Sequence, residues 1–437
     1  MKKIIISILQ MLLKYVARAI IKKYNPMIVG ITGSVGKTSA KEAIKEVVSR
    51  ERTVRAPAKN FNNELGLPLT IIGDFQVIGG IFFWFGVLGR GIYKILVRDK
   101  TYPEVLVLEY GVDRPGDMKK LLDIARPHIG VFTAIGKIPV HIEYFTGPEQ
   151  VAKEKAKLIA QLPATGFAIL NADDPLVMRA KTETRAQVVT FGSSEHADVR
   201  ITNFSNHFDG THAGISMKLT YGGSFIPLRI DGALGEAQAI SSSIAAAVGL
   251  VFGMNLVRIA EVLSRYEAPA GRLRCIQGIR ESMIIDDTYN AAPKAMENAI
   301  DTLAELPARR KIAVLGDMLE LGKYTLEAHE ELGKRVKKKG IDVLVTIGIR
   351  GKLIAEGAIR AGMNEKFVFA NNTINETVRL LEQKIQKGDV ILIKGSQGTR
   401  MERIVKRIMA EPEHAYERLA RQNPEWIAKK GMYDEGE

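Results

Sequence analysis

Residues 30–39 read Gly-Ile-Thr-Gly-Ser-Val-Gly-Lys-Thr-Ser, a glycine-rich turn between an apolar run at 27–31 and a helical pattern at 40–48. Glycines at 30, 33 and 36 allow backbone angles and close approach that a side chain would block, so successive N–H groups can face one anion at a helix N-terminus. In that geometry Gly33, Ser34, Gly36 and Ser39 would line a triphosphate, Lys37 would reach its β/γ phosphates, and Thr38 would ligate Mg²⁺. The strict pattern has its first glycine where Ile31 stands, so this is a variant. The competing reading is a turn that only links strand to helix.

Short β-rich runs at 53–55, 105–109, 129–134, 167–170 and 188–191 alternate with helical patterns, which predicts a mostly parallel sheet wrapped by helices, with ligands at the carboxyl ends of its strands. Glu109 ends one such run and is a candidate Mg²⁺ ligand. His141, in the loop after the 129–134 run, is either a further ligand or an ordinary loop histidine. A helix capped by Thr146, with Pro148 in its first turn, would place Lys155 on an apolar face with Val151, Ala152, Leu158, Ile159 and Leu162. A lysine there must be paired, neutralised, modified, or led out to an edge. A neutral amine can take up CO₂ as a carbamate, a carboxylate-like ligand for a second Mg²⁺.

The 437 residues suffice for two or three domains, and 46% hydrophobic with 25% charged residues is ordinary for a globular chain. A lone cysteine, Cys275, excludes an internal disulfide and a cysteine-rich zinc module. The net charge of +13 points to anionic partners. The basic residues are spread out without an aromatic-interleaved stripe, so no nucleic acid is expected.

Residues 1–26 carry six Lys/Arg and no acid. As a helix, Lys3, Ser7, Gln10, Lys14, Arg18 and Lys22 form one narrow polar stripe on an otherwise apolar surface. This predicts peripheral contact with an acidic membrane, against the alternative of packing on the protein itself or on a second subunit. Lys14 and Arg18 argue against spanning. Residues 77–97, with Phe82, Phe83, Trp84 and Phe85 clustered, repeat the theme, the alternative being a buried helical hairpin.

Residues 197–231 read as a small antiparallel flap, and Pro269-Ala270-Gly271 as a hinge. Beyond it strands at 283–285, 312–315, 343–347, 367–369 and 390–393 predict a second doubly wound domain. Polar clusters at 286–290, 316–318 and 394–396 fall at strand ends, as one face of a cleft. The expected architecture is α/β: an N-terminal helix (1–26), a phosphate-loop ATPase domain (27–270) and a Rossmann-like domain (271–437).

With these residues assembled, the chain resembles the Mur ligase family, and within it the branch that adds D-alanyl-D-alanine to a UDP-muramoyl tripeptide. Ten motifs lie in register: GITGSVGKTS, NFNNELGLPLT from Asn60, LEYGVDRPGDM, HIEYF, VAKEK, LNADDP, GRL, DDTYNAAP, VLGDMLELG and IKGSQGTRME. The resemblance implies ATP-dependent amide formation, in which a carboxylate becomes an acyl phosphate and is captured by an amine. It implies that Lys37 and Thr38 hold phosphate and Mg²⁺, that Glu109, His141 and a carbamylated Lys155 hold Mg²⁺, and that Asn63 sits near the reacting phosphate. It further implies that Arg272 and Asp287 meet the nucleotide from the C-terminal domain, and that Asn290, Lys394 and Ser396 face the incoming amine.

Ala237, Ser241 and Ala292 depart from the family pattern. These ligases carry a UDP-sugar-binding domain before the phosphate loop, where this sequence has the basic helix. The expected carboxylate substrate is therefore bound differently or lipid-linked, at the inner face of the cytoplasmic membrane. Two rival readings are a ligase for a γ-linked glutamate polymer and a membrane-tethered ATP-binding partner without ligase activity.

Overall fold

A computed structural model describes residues 2–57, 61–75, 78–209 and 212–434, with side chains from residue 4. Asn60, Val77, Gly210 and the Lys3 side chain, each part of a segment singled out above, lie outside the described residues.

Two sheets organise the chain. The first has the order β2-β3-β1-β4-β5-β6-β7-β8-β9. Its strands are β1 (Met27–Thr32), β2 (Val54–Arg55), β3 (Val105–Glu109), β4 (Ile129–Phe132), β5 (Phe167–Asn171), β6 (Gln187–Gly192), β7 (Val199–Phe208), β8 (Ala213–Tyr221) and β9 (Ser224–Asp231). All pairs from β2 to β7 are parallel. The central strands are buried on both faces, which is why they read as unbroken apolar runs. One core packs helix α2 (Lys37–Val48) and the helix Glu236–Val251 on one face. The other packs α3 (Gly66–Ile72), α5 (Asp117–Leu122) and α6 (Pro148–Ala160) on the opposite face.

The 197–231 segment differs from the expected flap. β7 joins β6 in parallel at Phe191↔Val199, and β8 and β9 follow as antiparallel strands of the same sheet. The hairpin pattern was correct; the continuity through β6 is a long-range pairing that alternation does not reveal.

The second sheet has the order β10-β11-β15-β12-β13-β14, from β10 (Arg274–Gly278), β11 (Ser282–Asp287), β12 (Arg310–Gly316), β13 (Val343–Ile347), β14 (Val368–Asn371) and β15 (Asp389–Lys394). Only β10 is antiparallel. It escaped the sequence reading because a strand of Arg-Cys-Ile-Gln-Gly buries little.

The two apolar segments at the N-terminal end pack on each other. Helix α1 (Lys2–Tyr24) buries Leu13, Ala17 and Ile20 against α3 and α4 (Ile81–Leu96). Gly91 permits the close crossing, since a Cβ there would stand 2.4 Å from Val16 Cγ1. Lys23 Nζ donates to the Lys94 and Ile95 carbonyls at 3.0 and 2.9 Å, satisfying C-terminal groups of α4. The opposite surface stays exposed, including Ile4, Ile5, Ile8, Met11, Phe82, Phe85 and Leu96. Packing and exposure, weighed as alternatives in the sequence, therefore coexist on different faces. By length and composition alone Ile4–Tyr24 could cross a membrane, despite Lys14 and Arg18. Docking of Leu13, Ala17 and Ile20 leaves free only the first turns, roughly 13 Å of helix against a hydrocarbon core of about 30 Å.

Candidate active site

The phosphate loop joins β1 to α2. Gly33 has φ +141°, and a Cβ there would lie 2.0 Å from Thr133 Oγ1, so only glycine fits. That hydroxyl donates to the Val35 carbonyl at 2.6 Å, tying the loop to the end of β4. Gly36, at φ +85°, precedes α2 without a side-chain cap, which leaves the first-turn N–H groups directed at the loop. Gly30 departs from expectation: it lies inside β1, where a Cβ would meet the Tyr110 ring at 2.9 Å. It serves packing and is not part of the anion cradle. Lys37 Nζ donates to the Gly33 carbonyl at 2.7 Å, and burial lowers its pKa, opposed by the Glu109 carboxylate.

Glu109 closes β3, opposite Ile31 in the neighbouring strand, and is 1% exposed. Its Oε1 lies 3.4 Å from Lys41 Nζ and accepts no hydrogen bond. Lys41 also meets Glu42 at 3.0 Å and donates to the Pro57 carbonyl at 2.6 Å. Burial pushes its pKa down, but Glu109 and Glu42 leave it raised overall. Sequence reasoning missed Lys41. The signal was available: it shares the buried face of α2 with Ala40 and Ile44, the same argument that singled out Lys155.

Lys155 does lie on the buried face of α6 with Val151, Ala152, Leu158 and Ile159, while Lys153 and Lys157 face solvent. The helix cap is Gly147 rather than Thr146, whose N–H and hydroxyl both donate to Gln150 Oε1. Among the described residues Lys155 Nζ has no ion pair. Burial, then the nearby Lys37 ammonium, drives its pKa well below the ordinary lysine value, with Asp113 opposing. That environment favours a neutral amine.

His141 meets a carboxylate on each side. Its Nε2 lies 3.2 Å from Asp113 Oδ1 and its Nδ1 2.8 Å from Glu320 Oε2, the latter from the loop after β12. Neither carboxylate was singled out by sequence. Among the described residues no three His, Cys, Asp or Glu side chains converge as a metal set. Asn63 is exposed, and its Oδ1 accepts from the Leu65 and Gly66 N–H groups at 3.2 and 2.9 Å, capping the turn into α3.

The three polar clusters of the second lobe do share an edge, because β11, β15 and β12 are neighbours. Lys394 Nζ pairs with Asp287 Oδ2 at 2.7 Å and donates to the Asn290 carbonyl at 2.9 Å. Burial raises Asp287 and lowers Lys394, each partly offset by the other's charge. Asp287 is thus engaged within its own lobe. Ser396 Oγ accepts from the Leu319 N–H at 3.0 Å, and Asn290 Oδ1 from the Ala291 N–H at 2.9 Å. Arg272 crosses between lobes: one guanidinium nitrogen donates to Thr38 Oγ1 at 3.4 Å, and the group stacks 4.3 Å from the Tyr289 ring centroid. Ser241 Oγ donates back to the Ala237 carbonyl at 2.8 Å within their own helix, and Ala237 packs against the apolar core of the second lobe.

Five buried side-chain polar atoms lack a hydrogen-bond partner among the described residues, and Ser34 Oγ, Glu109 Oε1 and Arg272 Nε are three of them. Buried polar groups are normally satisfied. An acceptor at the strand end, a hydroxyl in the loop and a guanidinium from the other lobe fit a polyphosphate carrying a divalent cation.

Known proteins resemble this chain in sequence and fold. The family model described as Mur ligase middle domain matches residues 91–248, and that described as Mur ligase, glutamate ligase domain matches residues 271–397. The chain is similar to UDP-N-acetylmuramoyl-tripeptide–D-alanyl-D-alanine ligase of Bacillus subtilis, at 31% identity over 92% of this chain and 79% of the relative. The Escherichia coli protein of that name is 28% identical over 87% and 76%. The solved structure of MurF ligase from Thermotoga maritima in complex with ADP superposes with a TM-score of 0.76 at 25% identity, covering 94% of this chain and 84% of that one.

Proposed function

Because the chain belongs to the Mur ligase family, whose members are ATP-dependent, ADP-forming ligases, we propose that it joins a muramoyl-tripeptide carboxylate to D-alanyl-D-alanine in cell-wall precursor synthesis. The observation that carries the reading is that Ser34 Oγ, Glu109 Oε1 and Arg272 Nε, from two lobes, are buried without a hydrogen-bond partner among the described residues, with another Arg272 nitrogen in reach of Thr38.

In this reading the N–H groups and side chains of Gly33, Ser34, Gly36 and Ser39 hold the triphosphate, and Lys37 exchanges the Gly33 carbonyl for phosphate oxygen. Thr38 and Glu109 hold one Mg²⁺, while His141 and Lys155, as a carbamate, hold a second. Bound ATP with Mg²⁺ supplies the phosphoryl group that makes the carboxylate reactive. The protein's part is positioning and charge neutralisation. Lys41 sets a buried positive charge beside Glu109, Arg272 brings positive charge from the second lobe, and Asp287 orients Lys394 towards the amine, beside Asn290 and Ser396. Asn63 acts by fixing the 61–66 turn that abuts Gly111. Movement about 269–271 brings the two domains, 27–270 and 271–437, together on the substrates.

We also infer a cytoplasmic enzyme seated on the inner face of the membrane. The exposed apolar faces of α1 and α4, flanked by exposed Arg18, Lys22 and Arg90, suit an interface rather than a crossing.

The test is phosphate release from ATP with muramoyl tripeptide and D-alanyl-D-alanine, added singly and together. Release that requires both is expected. Release with neither, or with a glutamate amine in preference, overturns the reading.

A further inference from the structure

His141 and Glu320 belong to different lobes, one following β4 and the other following β12, yet His141 Nδ1 and Glu320 Oε2 are 2.8 Å apart. A carboxylate can only accept, so this contact engages a proton on Nδ1, while Nε2 is turned to the Asp113 carboxylate of its own lobe at 3.2 Å. Metal-bound histidines characteristically donate their other nitrogen to such an acceptor. Here that acceptor comes from across the cleft.

The approach of the two turns is specific. His141 and Glu320 both adopt left-handed backbone, at φ +62° and +63°. Two residues further on Gly322 has φ +53°, and a Cβ there would stand 2.8 Å from Glu143 Cβ. Glycine at 322 thus allows the backbones to close up, and that contact delivers Glu320 to His141.

We propose that Glu320 is a positioning residue for the Mg²⁺ site of the opposite lobe: it holds the His141 ring through Nδ1, so that Nε2, which meets Asp113 here, is the nitrogen offered to metal in that carboxylate's place, and so couples metal binding to contact between the lobes. This rests on the reading of His141 as a metal ligand. Linkage makes the effect reciprocal, so metal that binds more tightly to the joined lobes also favours their joining.

The test uses the full chain saturated with a non-hydrolysable ATP analogue, Mn²⁺ in place of Mg²⁺, and two readouts. Electron paramagnetic resonance counts Mn²⁺ bound beyond the first, and small-angle X-ray scattering follows compaction as Mn²⁺ is added. Glu320→Ala should weaken the second Mn²⁺ by about 10–100-fold and blunt the compaction. Glu320→Gln, which keeps an acceptor oxygen, should fall between. Gly322→Val, which leaves Glu320 in place but blocks the approach, should resemble Glu320→Ala. His141→Ala separates the two layers of inference. If it binds the second Mn²⁺ as the wild type does, His141 is not a ligand and both readings fail. If it binds weakly while Glu320→Ala and Gly322→Val match the wild type, the coupling alone is overturned.

Discussion

Lys41 Nζ stands 3.4 Å from Glu109 Oε1, and both side chains are almost wholly buried. Removing one member of such a pair strands the other charge, at a cost of about 3–5 kcal/mol. Lys41→Met should therefore lower unfolding stability by that order in urea titrations. The double variant Lys41→Met/Glu109→Leu should recover much of the loss and, on the proposed role of Glu109 as a Mg²⁺ ligand, remain inactive. Stability of Lys41→Met equal to wild type would mean that the pair adds nothing to the fold.

Gly33→Ala and Gly36→Ala should differ. Both positions have positive φ, but a Cβ at 33 collides with Thr133 Oγ1, whereas at 36 its nearest neighbour is Thr133 Cβ at 3.9 Å. Gly36→Ala carries backbone strain of about 1 kcal/mol and should retain weakened ATP binding. Gly33→Ala must also displace the Thr133 hydroxyl and should abolish binding of a fluorescent ATP analogue.

Lys155→Ala should reduce turnover by at least about 10²-fold, the scale of losing a well-placed charged group, with nucleotide binding largely kept. Acetate or formate should restore part of the activity if a carbamate is the working form. A carbamate signal from ¹³C-bicarbonate in NMR spectra, absent in Lys155→Ala, checks the chemistry directly.

Burial lifts the Asp286 carboxyl to about 6, against hydrogen bonds from Thr288 and Gly271 that favour its charged form. A carboxyl with its folded-state pKa above the unfolded value keeps its proton longer in the folded state. The folded state then binds more protons between about pH 4 and pH 6, and its stability falls as pH rises through that window. The full cost, up to about 3 kcal/mol at 1.4 kcal/mol per unit, persists above it. Urea midpoints measured from pH 4 to pH 7 should show this decline in the wild type and a flatter profile in Asp286→Asn.

Phe82, 86% exposed, and Phe85 lie on the outer face of α4. Phe82→Asp/Phe85→Asp should reduce co-sedimentation with anionic lipid vesicles by about tenfold or more, given 1.5–3 kcal/mol for each buried aromatic, and leave solution activity intact. Unchanged sedimentation would remove the membrane from the account.

What could be read without a structure was the chemistry held within a few residues of chain. The loop ending in Lys37-Thr38, the strand-terminal position of Glu109 and the buried face carrying Lys155 follow from backbone geometry and helical period. The parallel strands announce themselves because burial on both faces demands unbroken apolar runs. The polar strand ends at 286–290, 316–318 and 394–396 were legible for the same reason.

What the linear order withheld depends on distance between elements. Gly30 looks like a loop glycine until the Tyr110 ring is placed against it. The amphipathic pattern of α1 cannot say which apolar residues meet α3 and α4 and which remain outside. The partners of His141 come from residues 113 and 320, and the neighbour of Glu109 from α2, so no local spacing encodes them. Short-range geometry set the reactive groups; packing of two independent sheets decided which of them meet, because a side chain's partner is fixed by the register of whole elements rather than by its own neighbours.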